Sequence, residues 1–315
     1  MKTKDFQRRL PRLVEDEAQE AAFTLIELFV VIATIAILAV ALLPALAGTR
    51  QNSQVVGCID NQRRLADAWV MFARDNNDVL VPNRGLNGAT GVVYTGDPRI
   101  EPQLQPGGAN ADWCPGNLQN SSDTTTGSKY PAGSIYSWWI QTGLLYPYVK
   151  NIEPYHCPAD HSTTPRGATV FPAPALRTYS MNDWVQPMDA PGYATTPWNG
   201  GPTTGYYFYT KLSNMFKPGP SKTWVFIETS QYSIDDGFFE VNPEETYEWV
   251  KSPAVLHGNA SVLVFADGHT DTHRWTDSSM VTAKPAEPSG TIDFWPADPS
   301  SGDLVWFNSI STAPN

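Results

Sequence analysis

Phe23-Thr-Leu-Ile-Glu-Leu-Phe-Val-Val-Ile-Ala-Thr-Ile-Ala-Ile-Leu-Ala-Val-Ala-Leu-Leu-Pro-Ala-Leu-Ala47 is the stretch on which the fold turns. Glu27 is its one charge. At ~1.5 Å rise per residue, an apolar helix of this length matches a bilayer core of ~30 Å. The stretch predicts a membrane-spanning helix over 23–47. Burying a carboxylate in its first turns costs about 2.5 kcal/mol or more, so Glu27 reads as a functional group. The alternative is a plain signal anchor whose Glu27 reaches back to the headgroups. A cleaved secretory signal fits less well, because its apolar core spans only ~7–15 residues.

Outward from this stretch, residues 1–22 are polar and charge-balanced: Lys2, Lys4, Arg8, Arg9 and Arg12 offset Asp5, Glu15, Asp16, Glu17 and Glu20. The chain's net charge of −11 therefore lies in the remainder, which has no basic stripe. That argues against nucleic acid as a partner. Basic residues flank the apolar run on both sides, so charge alone does not orient it.

Beyond Pro44 the helical pattern continues. Val55, Cys58/Ile59, Gln62, Leu65/Ala66, Trp69 and Phe72/Ala73 recur at three- and four-residue spacing and form one apolar face. Asn76-Asn77-Asp78 supplies a stop. The expectation is one helix over about 24–76, with 48–78 packed on a globular part at 79–315. Residues 79–135 and 158–205 are rich in turn formers and read as loops. Ile135–Val149 is aromatic and reads as a helix or two short helical turns. The clearest strands are Lys222–Glu228 and Ser261–Ala266, and Arg177-Thr178-Tyr179-Ser180-Met181 within the second loop zone is a short strand-like piece. Asp267-Gly268 after Ser261–Ala266 predicts a type I′ hairpin into His269–Trp275. With no internal repeat, the fold class is α+β: a long N-terminal helix packed on an antiparallel β-sheet domain with long loops.

Ala22-Phe23-Thr24-Leu25-Ile26-Glu27-Leu28 resembles the class III signal of type IV prepilins and type II secretion pseudopilins. The resemblance implies a pilin-like fold. It also implies that a prepilin peptidase removes residues 1–22 by cutting between Ala22 and Phe23, and methylates the new amine. Glu27 then corresponds to the glutamate that pairs with a neighbouring subunit's terminal amine, and Pro44 to the family's helix-kinking proline. The family usually has Gly where this chain has Ala22. The implied location is the inner membrane, single-pass, with the leader cytoplasmic and the C-terminal part periplasmic or extracellular. The implied partners are the peptidase, other pilin or pseudopilin subunits and the membrane.

The C-terminal region is similar to a group of prepilin-like proteins that share a His, nine residues, then Asp-Gly, here His257 and Asp267-Gly268. Segments of that group resemble Cys58-Ile59-Asp60-Asn61-Gln62, Cys114-Pro115-Gly116-Asn117, Cys157-Pro158-Ala159-Asp160 and Tyr179-Ser180-Met181-Asn182.

An extracytoplasmic location permits a disulfide. Cys114 and Cys157, both in Cys-Pro loops, are the candidate pair, and Cys58 reads as a buried free thiol. The rival is a zinc site built on two Cys plus His156 or His161. His269, Asp271 and His273 alternate along one strand, and with His257 or Asp267 they offer nitrogen and oxygen ligands for a structural metal ion. Asp235, Asp236 and Asp267 lack the spacing of a calcium loop. The plain reading is a turn followed by a solvated strand face.

No nucleophile elbow, HExxH or phosphate loop is present, and the reading is of a non-enzyme. Eleven Trp are taken as core rather than as a sugar platform. The resemblance makes the chain a pseudopilin- or minor-pilin-like subunit. The alternative is a membrane-anchored carbohydrate-binding protein or hydrolase that uses a prepilin-type signal.

Overall fold

The computed structural model describes residues 24–83, 112–115, 137–164, 173–186, 205–234, 237–244, 247–282 and 295–314. Ala22, Phe23, the leader, Asp235 and Asp236 lie outside them. The chain divides into two compact units, one ending at Thr49 and one spanning Arg50–Asn315.

Helix α1 is Leu25–Asp75. Its start is a capping box. The Thr24 backbone N–H and Oγ1 both donate to Glu27 Oε2 at 2.8 Å, and the Glu27 N–H donates to Thr24 Oγ1 at 3.3 Å. Pro44 falls within the bounds of α1, among residues whose side chains are not described. Past the helix end, Asn77 and Asp78 take positive φ (55° and 69°). Asn and Asp tolerate this conformation, and the Asp78 N–H closes the last turn on the Ala73 carbonyl at 2.8 Å.

The expected membrane-spanning half is corrected here. Among the described residues no helix is long and apolar enough to cross a membrane.

Within Arg50–Asn315, the short helices α2 (Trp138–Thr142) and α3 (Tyr146–Val149) realise the aromatic stretch as two helical turns. The strands are β1 (Thr163–Thr164), β2 (Ala173–Pro174), β3 (Tyr179–Asn182), β4 (Trp224–Glu228), β5 (Phe238–Phe239), β6 (Glu248–Trp249), β7 (Ala260–Phe265), β8 (Thr270–Arg274) and β9 (Trp295–Pro296). Helix α4 is Ser278–Thr282 and α5 is Asp303–Ser311. The main sheet runs β5-β3-β4-β7-β8, and the pairs β1-β2 and β6-β9 stand apart.

The sheet is mixed, which corrects the antiparallel expectation. β3 pairs β4 antiparallel and β5 parallel. The chain reverses after β4 and returns on the far side of β3, so β5 runs with β3. The hairpin is corrected as well. Only Gly268 in the β7–β8 turn has a positive φ (88°), whereas type I′ needs two such residues. Phe265 donates its N–H to the His269 carbonyl, which makes a three-residue loop, Ala266-Asp267-Gly268.

Alternation sends each strand's side chains to two layers. Val262 and Val264 of β7, with Tyr179 and Met181 of β3, face Cys58, Leu65, Trp69 and Ala73 of α1. Leu263 and Phe265 join Trp224, Trp249, Trp275, Leu304 and Phe307 on the opposite side, under α5. A register shift between Trp224 and Phe226 interrupts the alternation in β4, where adjacent Val225 and Phe226 both join the α1-facing layer while Trp224 and Ile227 join the other. Trp69, Trp113, Trp184, Trp224, Trp249 and Trp275 are fully buried, so these six tryptophans are core.

Candidate metal centre

Four buried polar side chains meet in the α1-facing layer. Cys58 is on the apolar seam of α1, one helical turn before Gln62. Cys157 follows the 3-10 turn Glu153–Tyr155, and its N–H is held by Thr178 Oγ1 at 3.1 Å. Glu228 ends β4, opposite Tyr179 of β3. His257 opens the turn into β7, where Gly258 and Asn259 take positive φ (66° and 67°). Cys58, Cys157 and Glu228 are 0% exposed and His257 is 8% exposed.

The contacts are short. The Cys58 thiol donates to Glu228 Oε1 at 2.6 Å. His257 Nε2 lies 2.8 Å from the same oxygen and 3.4 Å from Cys157 Sγ. The Val262 N–H donates to Glu228 Oε2 at 2.8 Å. Tyr179 donates its hydroxyl to Cys58 Sγ at 3.2 Å, and the Ala159 N–H donates to Cys157 Sγ at 3.4 Å. Gln62 Nε2 donates to the Val262 carbonyl at 2.8 Å beside Cys58. His257 Nδ1 has no hydrogen-bond partner among the described residues.

Burial pushes the Cys58 thiol well up, and the neighbouring Cys157 and Glu228 add to this. The contact with Cys58 draws the Cys157 thiol down, helped by His257 and opposed by burial. Burial alone would lower His257, but its bonds to Cys157 and Glu228 outweigh that and hold it at about 10. At neutral pH the imidazole therefore stays protonated.

One ligand atom from each of these four residues lies within 4.8 Å of the other three. The cluster could hold a metal ion. Among the described residues it is the one group of His, Cys, Asp and Glu that close together.

The sequence placed the metal elsewhere. Of His257, Asp267, His269, Asp271 and His273, the structure brings only His257 into the cluster. Asp267 and His269 pair with each other at 2.5 Å in the exposed turn. His273 bonds Asp303 at 3.1 Å and stacks on Trp306. Asp271 is exposed and accepts the Thr272 N–H. The Cys114–Cys157 bridge is absent: all three cysteines are free and buried, because the Cys157 sulfur faces Cys58 and His257. Burial raises the Cys114 thiol to about 12. His156 of the zinc alternative sits beside Asp160 instead.

Nothing in the sequence marks Glu228, which looks like the polar end of an apolar strand. The nine residues between His257 and Asp267 carry β7, with the cluster at one end and the hairpin at the other.

A separate hollow with about 10 Å³ of internal space is lined by Glu240, Glu248, Trp249, Lys251 and Phe307. It is smaller than the ~300 Å³ at which ligand pockets begin. Comparison with protein-family models, curated proteins and solved structures finds no match for this chain.

Proposed function

We propose that the chain is a pseudopilin- or minor-pilin-like subunit of a type II secretion or type IV pilus-like assembly, matured by a prepilin peptidase. One observation carries the reading. The helix segment Leu25–Val40 presents large apolar side chains on every face, among them Leu25, Ile26, Ile35, Ile37 and Val40, all at least 60% exposed. A helix apolar all round needs an apolar surrounding to cover it. In this reading the same helices of neighbouring subunits supply that cover. In this reading Glu27, which caps its own helix through Thr24, meets a neighbour's Phe23 amine once residues 1–22 are removed. Removing a carboxylate's counter-charge in such a setting is strongly destabilising, so the pair would fix register. Location at the inner membrane, with Arg50–Asn315 outside the cytoplasm, belongs to the same proposal. So does a structural metal ion in the buried cluster, with no enzymatic role.

The test is assembly in cells that carry a prepilin peptidase. Wild-type chain should enter sedimentable, crosslinkable multimers, and Glu27→Ala should abolish them at unchanged expression. Equal multimer yield from both would reject the role of Glu27.

A further inference from the structure

We infer that Cys58, Cys157, Glu228 and His257 form a closed four-ligand zinc site that fastens α1 to the sheet. This rests on the reading that the cluster holds a structural metal ion, and names the ion and its coordination.

The donor set selects the metal class. Two sulfurs, one imidazole nitrogen and one carboxylate oxygen are the ligands of a borderline-soft ion. Calcium and magnesium want oxygen throughout. The count is four, which is the number a structural zinc takes. All four side chains are buried, so no position is left open to a substrate or an activated water, and the site is structural rather than catalytic.

The geometry needs little change. Zinc bonds of ~2.3 Å to sulfur and ~2.0–2.1 Å to nitrogen and oxygen put tetrahedral donors ~3.3–3.8 Å apart. Cys157 Sγ and His257 Nε2 already stand at 3.4 Å. The Cys58–Glu228 and His257–Glu228 separations, 2.6 and 2.8 Å, have to open by less than about 1 Å. In the metal-free cluster these short contacts share protons. On binding, both thiols and the imidazolium release theirs to solvent, and the ion takes their place.

The surroundings are built for the resulting charge. Two thiolates and a carboxylate around a divalent cation leave one net negative charge in the core. Each anionic ligand has an outside donor: Tyr179 O–H on Cys58, the Ala159 N–H on Cys157 and the Val262 N–H on Glu228. The ligands come from α1, the loop before β1, the end of β4 and the turn before β7. A single ion therefore joins four segments that run from Cys58 to His257 in the sequence.

The experiment is elemental analysis of the full-length protein purified without chelators, with thiol alkylation and intact mass under denaturing conditions. The expected result is one zinc per chain and three alkylatable thiols. Zinc should be lost in Cys58→Ser and Cys157→Ser and kept in Cys114→Ser. Because the first two variants can misfold, cobalt exchange into the wild type gives a second readout: tetrahedral thiolate–cobalt absorption is expected at one equivalent. One equivalent of a different metal would overturn the zinc assignment while leaving the metal reading intact. No metal, with three free thiols or with Cys58 and Cys157 joined as a disulfide, would overturn both.

Discussion

Cys58 and Glu228 are 170 residues apart in sequence, and the Cys58 sulfur lies 2.6 Å from the Glu228 carboxylate. The contact ties the long helix to the central strand of the sheet through a buried charge. Glu228 accepts from Cys58, His257 and the Val262 N–H, so truncation strands all of them. Glu228→Ala should cost about 3–5 kcal/mol, read as a fall in urea midpoint of the full chain. Glu228→Gln, which keeps an acceptor for Val262, should cost less. An unchanged midpoint for Glu228→Ala would remove the cluster from the list of things that hold the fold.

The second core layer is tested at Phe307 of α5. Its ring stacks on Trp224 at 5.1 Å and meets Phe239 edge-on at 5.5 Å. Phe307→Ala should cost about 3–5 kcal/mol by chemical denaturation. A loss under about 1 kcal/mol would mean that α5 is not part of the cooperative core.

Gly268 carries the turn between β7 and β8 at φ 88°. No atom lies within 4 Å of where its Cβ would be, so a side chain there meets backbone strain and no clash. Gly268→Ala should lower stability by about 1–2 kcal/mol, and Gly268→Asn by less, because Asn tolerates this region. Thermal melts of the two variants check the order. Equal melting of both with wild type would contradict the turn geometry.

Asp277 gives a pH signature. Burial pushes its carboxyl up, but donors from Ser279, Trp249 and Asp298 outweigh this and hold it below its usual range. A lowered native value means the stabilisation is fully present above the unfolded pKa of ~3.9. It is lost as pH falls through the native value. Asp277→Asn should therefore be less stable than wild type at pH 7, on the order of 1–3 kcal/mol, with the gap closing in acid below about pH 4. A gap that persists unchanged at low pH would place the effect on packing, not charge.

Much of the secondary structure was legible in local pattern. The apolar spacing from Val55 to Ala73 gave the buried seam of α1, and the β-branched runs gave β4 and β7 nearly to the residue. The parallel strand β5 was not legible. Phe238–Phe239 is two residues long, and its partner is decided by the reversal after β4, not by its own composition. The hairpin loop was misread because Asp-Gly fits both a two-residue and a three-residue turn, and only the register Val264–Thr270 distinguishes them. The cluster was half legible. Cys58 read correctly as a buried thiol, and His257 as a ligand candidate. Their meeting with Cys157 and Glu228 depends on strand register and on the packing of α1, which leave no trace in any one segment.

The N-terminus of the mature chain is the most direct test of the proposed function. Intact mass and N-terminal peptide sequencing of protein isolated from cells with a prepilin peptidase should give a chain that begins at N-methylated Phe23. Protein that retains residues 1–22 would contradict prepilin-type maturation, and with it the pairing of Glu27 with a neighbour's terminal amine.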